Sequence, residues 1–276
     1  MLLKEILVVL EAGQNFDAPL AMAAGLAQRH GGLVSGVCLA RESALNSTEA
    51  YVGGKGGALD VFTARDRAFE AASESARKAF DRDISLRCLS GGWRVGTLED
   101  WSSSVVRQAR LSDLVILSHP NQDRAMTRTI ESVVLGAGVP CVLVPAAAVA
   151  PHTLRRVALA WKDTREAARA LRDGLDFLKG ATDVAILTVE DDRAVADETR
   201  MGELLHFLDR HGIVVEVKPV APRANPGAAL LDACADFAAD LLVMGAYGRT
   251  RASEALLGGV TRTVLADATL PVLMSH

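Results

Sequence analysis

Short, unbroken apolar runs alternate along this chain with longer stretches where apolar residues return every third or fourth position. The runs predict strands at 6–11 (ILVVLE), 33–40, 84–89, 113–118 (DLVILS) and 139–144 (VPCVLV). The periodic stretches predict helices at 17–30, 62–82 and 98–110, with one more after 118. Leu20, Ala24 and Leu26 share one side of the first helix; Ala68, Ala72, Ala76 and Phe80 share one face of the second. Strands without polar alternation, interleaved with helices, signal a parallel sheet covered on both faces.

The second half repeats this order. Strands are predicted at 157–161, 183–189, 213–220, 240–244 and 272–274, and helices at 164–178, 198–210 and 226–238, with a last one after a glycine-rich loop. Gly212 stands where the helix before it should end. Asp113-Leu-Val-Ile-Leu answers Asp240-Leu-Leu-Val-Met, and Pro140-Cys-Val-Leu-Val answers Pro271-Val-Leu-Met-Ser. The first half carries about two dozen extra residues, placed at 42–61, where Gly53, Gly54, Gly56 and Gly57 predict a flexible loop. The linker is 145–155, bracketed by Pro145 and Pro151, so the domains are expected at 1–147 and 152–276. A period this long means duplicated domains, not a solenoid.

Composition narrows the function classes. A chain of 276 residues suits two domains, and 50% hydrophobic residues give each a core. A net charge of −4 argues against a broad nucleic-acid-binding face. No apolar stretch reaches the roughly 18 residues of a membrane span, and the first ten residues read as a strand rather than a leader. A cytoplasmic protein is expected. Cys38, Cys88, Cys141 and Cys234 show no C-x2-C spacing, which speaks against a metal site or disulfide framework. Cys38 and Cys141 lie in apolar runs, where a buried thiol is the rule.

The most informative stretch is Gly245-Ala-Tyr-Gly248-Arg249, followed after eight residues by Gly258-Gly259-Val260-Thr261-Arg262. It follows a predicted strand and opens a predicted helix. In open parallel sheets ligands bind at the carboxyl ends of the strands, where strand order switches. Glycines there let the backbone approach a phosphate, and the helix start adds a favourable dipole. Arg249, Arg251 and Arg262 are candidate cations; Thr250 and Thr261 offer hydroxyls. A tight strand-to-helix connection with no ligand, its arginines solvated, would use the same residues, so both readings stay open.

The G-x2-G-x9-G spacing resembles the nucleotide-binding motif of the universal stress protein family. Trp161-Lys-Asp-Thr-Arg-Glu-Ala-Ala-Arg-Ala170 and Leu270-Pro-Val-Leu273 are similar to the family's first turn and closing strand. The resemblance implies an α/β chain of two tandem, open, five-stranded parallel-sheet domains. These would be Rossmann-like, of the adenine nucleotide alpha hydrolase-like kind. They would form an internal pseudo-dimer with their last strands near its axis, and a further homodimer is an open expectation. The resemblance also implies ATP or a related adenine nucleotide, with Mg²⁺ as a candidate companion. Gly245, Gly248, Gly258 and the Gly259–Val260 backbone would cradle the phosphates. The family's acidic residue would fall at Lys162 or Asp163, and adenine near Thr188 and Val189. Two positions depart from the pattern. Gly259 stands where the family has Ser or Thr, leaving Thr261 as a candidate replacement, and Lys162 cannot accept hydrogen bonds from a ribose. The other reading of Lys162 and Asp163 is a solvated turn, with Asp163 or Thr164 as helix N-cap.

The first half has lost this loop. It reads Ser118-His119-Pro120-Asn121-Gln122-Asp123, with Ser118 at the place of Gly245 and Asn121 at that of Gly248. Side chains and a proline would crowd a phosphate, so no nucleotide is expected there by this mode. Thr127-Arg-Thr129 matches Thr261-Arg-Thr263 only with a gap, which leaves its meaning open. His119 lacks an evident nucleophile or metal partner and reads as a loop histidine. Trp93 and Trp161 read as packing residues.

Three functions remain in view. One is a stress-response protein that binds a nucleotide and acts through an unknown protein partner rather than by catalysis. Another is a ligand-free interaction module. The third is an enzyme such as a weak ATPase, whose nearest acid or base would be Asp163 or Glu254.

Overall fold

The computed structural model describes residues 3–11, 15–39, 54–95, 101–120, 124–145, 154–189, 198–221, 223–248 and 259–276. The first half runs β1 (Glu5–Glu11), α1 (Asp17–His30), β2 (Leu33–Leu39), α2 (Gly54–Leu86), β3 (Gly91–Val95), α3 (Trp101–Ala109), β4 (Leu114–Ser118), α4 (Arg124–Gly136) and β5 (Cys141–Val144). The second runs β6 (Arg156–Ala160), α5 (Arg165–Asp173), α6 (Leu175–Gly180), β7 (Asp183–Val189), α7 (Glu198–Arg210), β8 (Glu216–Val220), α8 (Pro226–Asp236), β9 (Leu241–Gly245), α9 (Gly259–Asp267) and β10 (Val272–Ser275).

All ten strands form one sheet in the order β3-β2-β1-β4-β5-β10-β9-β6-β7-β8. Each half is a parallel five-stranded sheet with the same internal order. The halves join where β5 and β10 run antiparallel, Cys141 opposite Met274 and Leu143 opposite Val272. Each fifth strand thereby covers what would otherwise be an open edge. Apolar residues on both sheet faces explain the unbroken runs. Ile6, Val8 and Leu10 belong to one core cluster, Leu7 and Val9 to the other, and each cluster draws residues from both halves. Among the described residues no helix is long and apolar enough to cross a membrane.

The duplication reaches down to single bonds. Asp113 Oδ2 accepts the amides of Lys4 and Glu5 at 2.6 and 2.9 Å. Asp240 Oδ2 accepts those of Arg155 and Arg156, both at 2.8 Å. Each carboxylate ties the start of one central strand to the next and fixes their stagger.

The structure corrects the expected third strand. Residues 84–86 end α2, and β3 is Gly-Gly-Trp-Arg-Val. Ala76, Phe80 and Ile84, four apart, are buried in the core, so the helical period wins over a short apolar run. Trp93 packs against Phe80 with ring centroids 5.5 Å apart. Gly36 makes room for both rings, since a β-carbon there would stand 2.8 Å from each. Part of the expected loop at 42–61 is also helix, because α2 already begins at Gly54; residues 40–53 lie outside the described residues. The helix expected at 164–178 divides at Gly174 into α5 and α6. Strand β8 is shorter than expected, and Val214 before it is 90% exposed.

Candidate functional site

In the second half the strand order reverses between β6 and β9, and the candidate residues gather at the carboxyl ends of these strands. Ala160 stands opposite Met244, and Gly245 opposite Ser275. After Ala160 the chain turns through Trp161, Lys162 and Asp163 into α5. Thr164 is the N-cap, its Oγ1 accepting the Ala167 amide at 3.3 Å.

Gly245 is first of all a packing requirement. A β-carbon there would stand 2.5 Å from the Ala167 nitrogen and 2.5 Å from the Glu166 carbonyl carbon. The start of α5 therefore rests on the end of β9, and only glycine lets it approach so closely. The next residues are also pinned. The Ala246 amide donates to the Ser275 carbonyl at 2.8 Å, and the Ala246 carbonyl accepts from His276 Nδ1 at 3.0 Å. Tyr247 adopts φ +58°, and its amide donates to Thr261 Oγ1 at 3.4 Å. Thr261 is buried, so its hydroxyl links the glycine turn to the first turn of α9. At Gly259 a β-carbon would meet none of the described residues within 4 Å.

The charges around this turn are mixed. Lys162 is exposed, and its ammonium makes no hydrogen bond or ion pair among the described residues. Asp163 is exposed and paired with Arg200 of α7. Glu166 is only 8% exposed, and its Oε1 accepts Arg165 Nε at 3.1 Å. Its Oε2 lies 3.0 Å from where a β-carbon on Gly248 would stand. Val189 ends β7 opposite Val220, one strand further out. Val260 is half-buried in the first turn of α9, and Arg262 is exposed. Arg249, Thr250, Arg251, Glu254 and Gly258 lie outside the described residues.

Sequence reasoning missed Glu166, Glu131 and the side chain of Tyr247. Glu166 looks like an ordinary acid in a first helical turn, and only its burial against Gly248 sets it apart. The Tyr247 phenol is buried, and its oxygen has no hydrogen-bond partner of normal geometry. Glu131 of α4, in the other half, lies beside it. Burial, and then that negative charge, push the phenol's pKa above its usual value.

In the first half Ser118 and His119 are both buried. His119 lies in the loop after β4, as expected, but is buried: its Nε2 lies 3.1 Å from the Val264 carbonyl of α9. Its amide donates to the Val144 carbonyl, as that of Ala246 does to Ser275. The helices before β5 and β10 end alike, Ala137 bonding Val133 and Ala268 bonding Val264. Without a gap that register sets Arg128 at the place of Gly259, so Thr127-Arg-Thr129 does not coincide with Thr261-Arg-Thr263. Asn121, Gln122 and Asp123 lie outside the described residues.

Comparison with known proteins agrees with the fold. Residues 153–276 match the model of the universal stress protein family. A universal stress protein of Archaeoglobus fulgidus DSM 4304 has a similar fold, with TM-score 0.71 and 16% identity over 98% of this chain and 95% of its own. A functionally unknown protein of Pseudomonas aeruginosa PAO1 aligns with TM-score 0.66 and 15% identity over 99% of this chain and 92% of its own. At such identities the likeness shows the fold, and it does so across both halves. No curated protein sequence matches the chain.

Proposed function

Starting from a chain whose residues 153–276 form a domain of the universal stress protein family, we propose that this half binds ATP or a related adenine nucleotide at the switch point between β6 and β9. The observation that carries the reading is the junction of two backbone segments, the Gly245–Gly248 turn and the start of α9, held together by the Tyr247–Thr261 bond. Free amides at a helix start beside a glycine turn suit an anion. The clearance at Gly259 and the Lys162 ammonium, which has no hydrogen-bond or ion-pair partner among the described residues, support the same reading. Phosphates lie along Gly245, Gly248, Gly258 and Gly259–Val260, and the base lies toward Val189. Arg249 and Lys162 supply positive charge, and Mg²⁺ accompanies the nucleotide. The protein acts through a partner that reads the bound state, in a stress response, rather than by turnover.

A second reading, a ligand-free interaction module, has one observation in its favour. The Thr261 hydroxyl, the candidate replacement for the family's Ser or Thr, is buried and accepts the Tyr247 amide.

The test is a calorimetric titration with ATP, ADP and AMP, with and without Mg²⁺, on the wild type and Gly248→Val. Binding lost in the variant supports the nucleotide reading. A folded wild type that binds none of the three supports the scaffold.

A further inference from the structure

Resting on that nucleotide reading, we infer that Glu166 determines which charge state of ligand the site accepts. Thr164 caps α5, which sets Glu166 in its first turn. An acid there complements the helix dipole and would normally extend into water. Glu166 instead has a side chain only 11% exposed, whereas that of Arg165 is 74% exposed. Both Arg165 Nε and Nη2 reach back to Oε1 at 3.1 Å. That pair is open to solvent on the arginine side and neutralises the carboxylate weakly.

Oε2 makes no hydrogen bond among the described residues and faces Gly248, 3.0 Å from a β-carbon position there. The carboxylate thus covers the turn along which the phosphates are proposed to run. Its neighbours cannot draw it away. The close approach of α5 to Gly245 holds the backbone of Glu166 in place, and burial limits its rotamers. A bare polyphosphate in this turn meets a fixed negative charge within a few ångströms, where the medium screens poorly. A divalent cation carried with the phosphates would offset that repulsion. Uncharged adenosine does not feel it. The site therefore favours cation-loaded nucleotide over free nucleotide, and Glu166 sets the margin.

The experiment is calorimetry on the full chain, wild type and Glu166→Gln, with ATP in EDTA, ATP with Mg²⁺, and adenosine. The variant keeps the size of the side chain, and a thermal melt checks its folding. Metal-free ATP is expected to bind Glu166→Gln about tenfold more tightly than wild type. The gain on adding Mg²⁺ should shrink by the same factor, and adenosine should bind both proteins equally. Glu166→Asp, which keeps the charge, should still discriminate against metal-free ATP. If metal-free ATP binds wild type and Glu166→Gln alike, the inference is overturned while the nucleotide reading stands. If neither protein binds ATP or adenosine, the nucleotide reading itself fails and takes the inference with it.

Discussion

Val142 and Leu273 stand opposite each other at the centre of the ten-stranded sheet, and each is the other's counterpart in the repeat. Pro140 precedes Cys141-Val142 just as Pro271 precedes Val272-Leu273. The pseudo-twofold axis therefore passes through this pair. Both side chains are at most 1% exposed, so the join between the halves is core rather than surface contact.

This continuity predicts that the halves unfold together. Single-tryptophan variants that keep Trp93 in the first half or Trp161 in the second should report the same urea midpoint. Leu273→Ala should lower it through both probes, at a cost of about 2–5 kcal/mol. Separate midpoints would mean that the β5–β10 join does not couple the halves.

Asp113 and Asp240 do the same work in different halves. Replacing either by Ala leaves two strand-start amides without their acceptor. Each change should cost about 1–3 kcal/mol in denaturant titrations. The double variant should lose the sum within about 0.5 kcal/mol, because the two sites share no partner.

Gly245 and Gly248 should respond differently to one methyl group. Gly245→Ala collides with the backbone of α5 and should lower stability by about 1–3 kcal/mol. Among the described residues, Gly248→Ala meets only the carboxylate end of the Glu166 side chain and no backbone. Its stability cost should stay below about 1 kcal/mol, while nucleotide affinity falls. Thermal melts and calorimetry on the two variants separate the packing role from the ligand role.

Burial sorts the cysteines. It pushes the Cys38 thiol up to about 11 and those of Cys141 and Cys234 up to about 12. Cys88 is exposed. A thiol reagent at pH 8 should label Cys88 in the native protein and all four cysteines only in denaturant. The same shifts act on stability. Unfolded thiols ionise near about 8.5, so above that pH the unfolded state loses protons that the folded state keeps. Stability should be intact below this range and fall as pH rises toward 11 to 12. Replacing Cys141 and Cys234 with Ala should flatten that fall.

Much of the fold was legible because its causes are local. Strands buried on both faces must be continuously apolar, and β7 and α7 were read at their observed bounds. The third strand was misread because Ile84 to Leu89 looks like a strand in isolation. Only Phe80 and Trp93, packed across Gly36, settle that β3 is Gly91–Val95. The glycine turn after β9 was legible as a turn, since glycines after a strand mark where the backbone bends sharply or is closely approached.

By itself the sequence determined the duplication, the alternation of strands and helices, and the position of the glycine turn. These follow from period, hydrophobicity and the special conformations of glycine, which act over a few residues. Tertiary structure alone decided that His119 binds across to α9, that Tyr247 lies beside Glu131, and that Glu166 covers Gly248. Such contacts join residues up to 145 apart. They depend on how helices settle on a shared sheet, and that is set by the packing of the whole core.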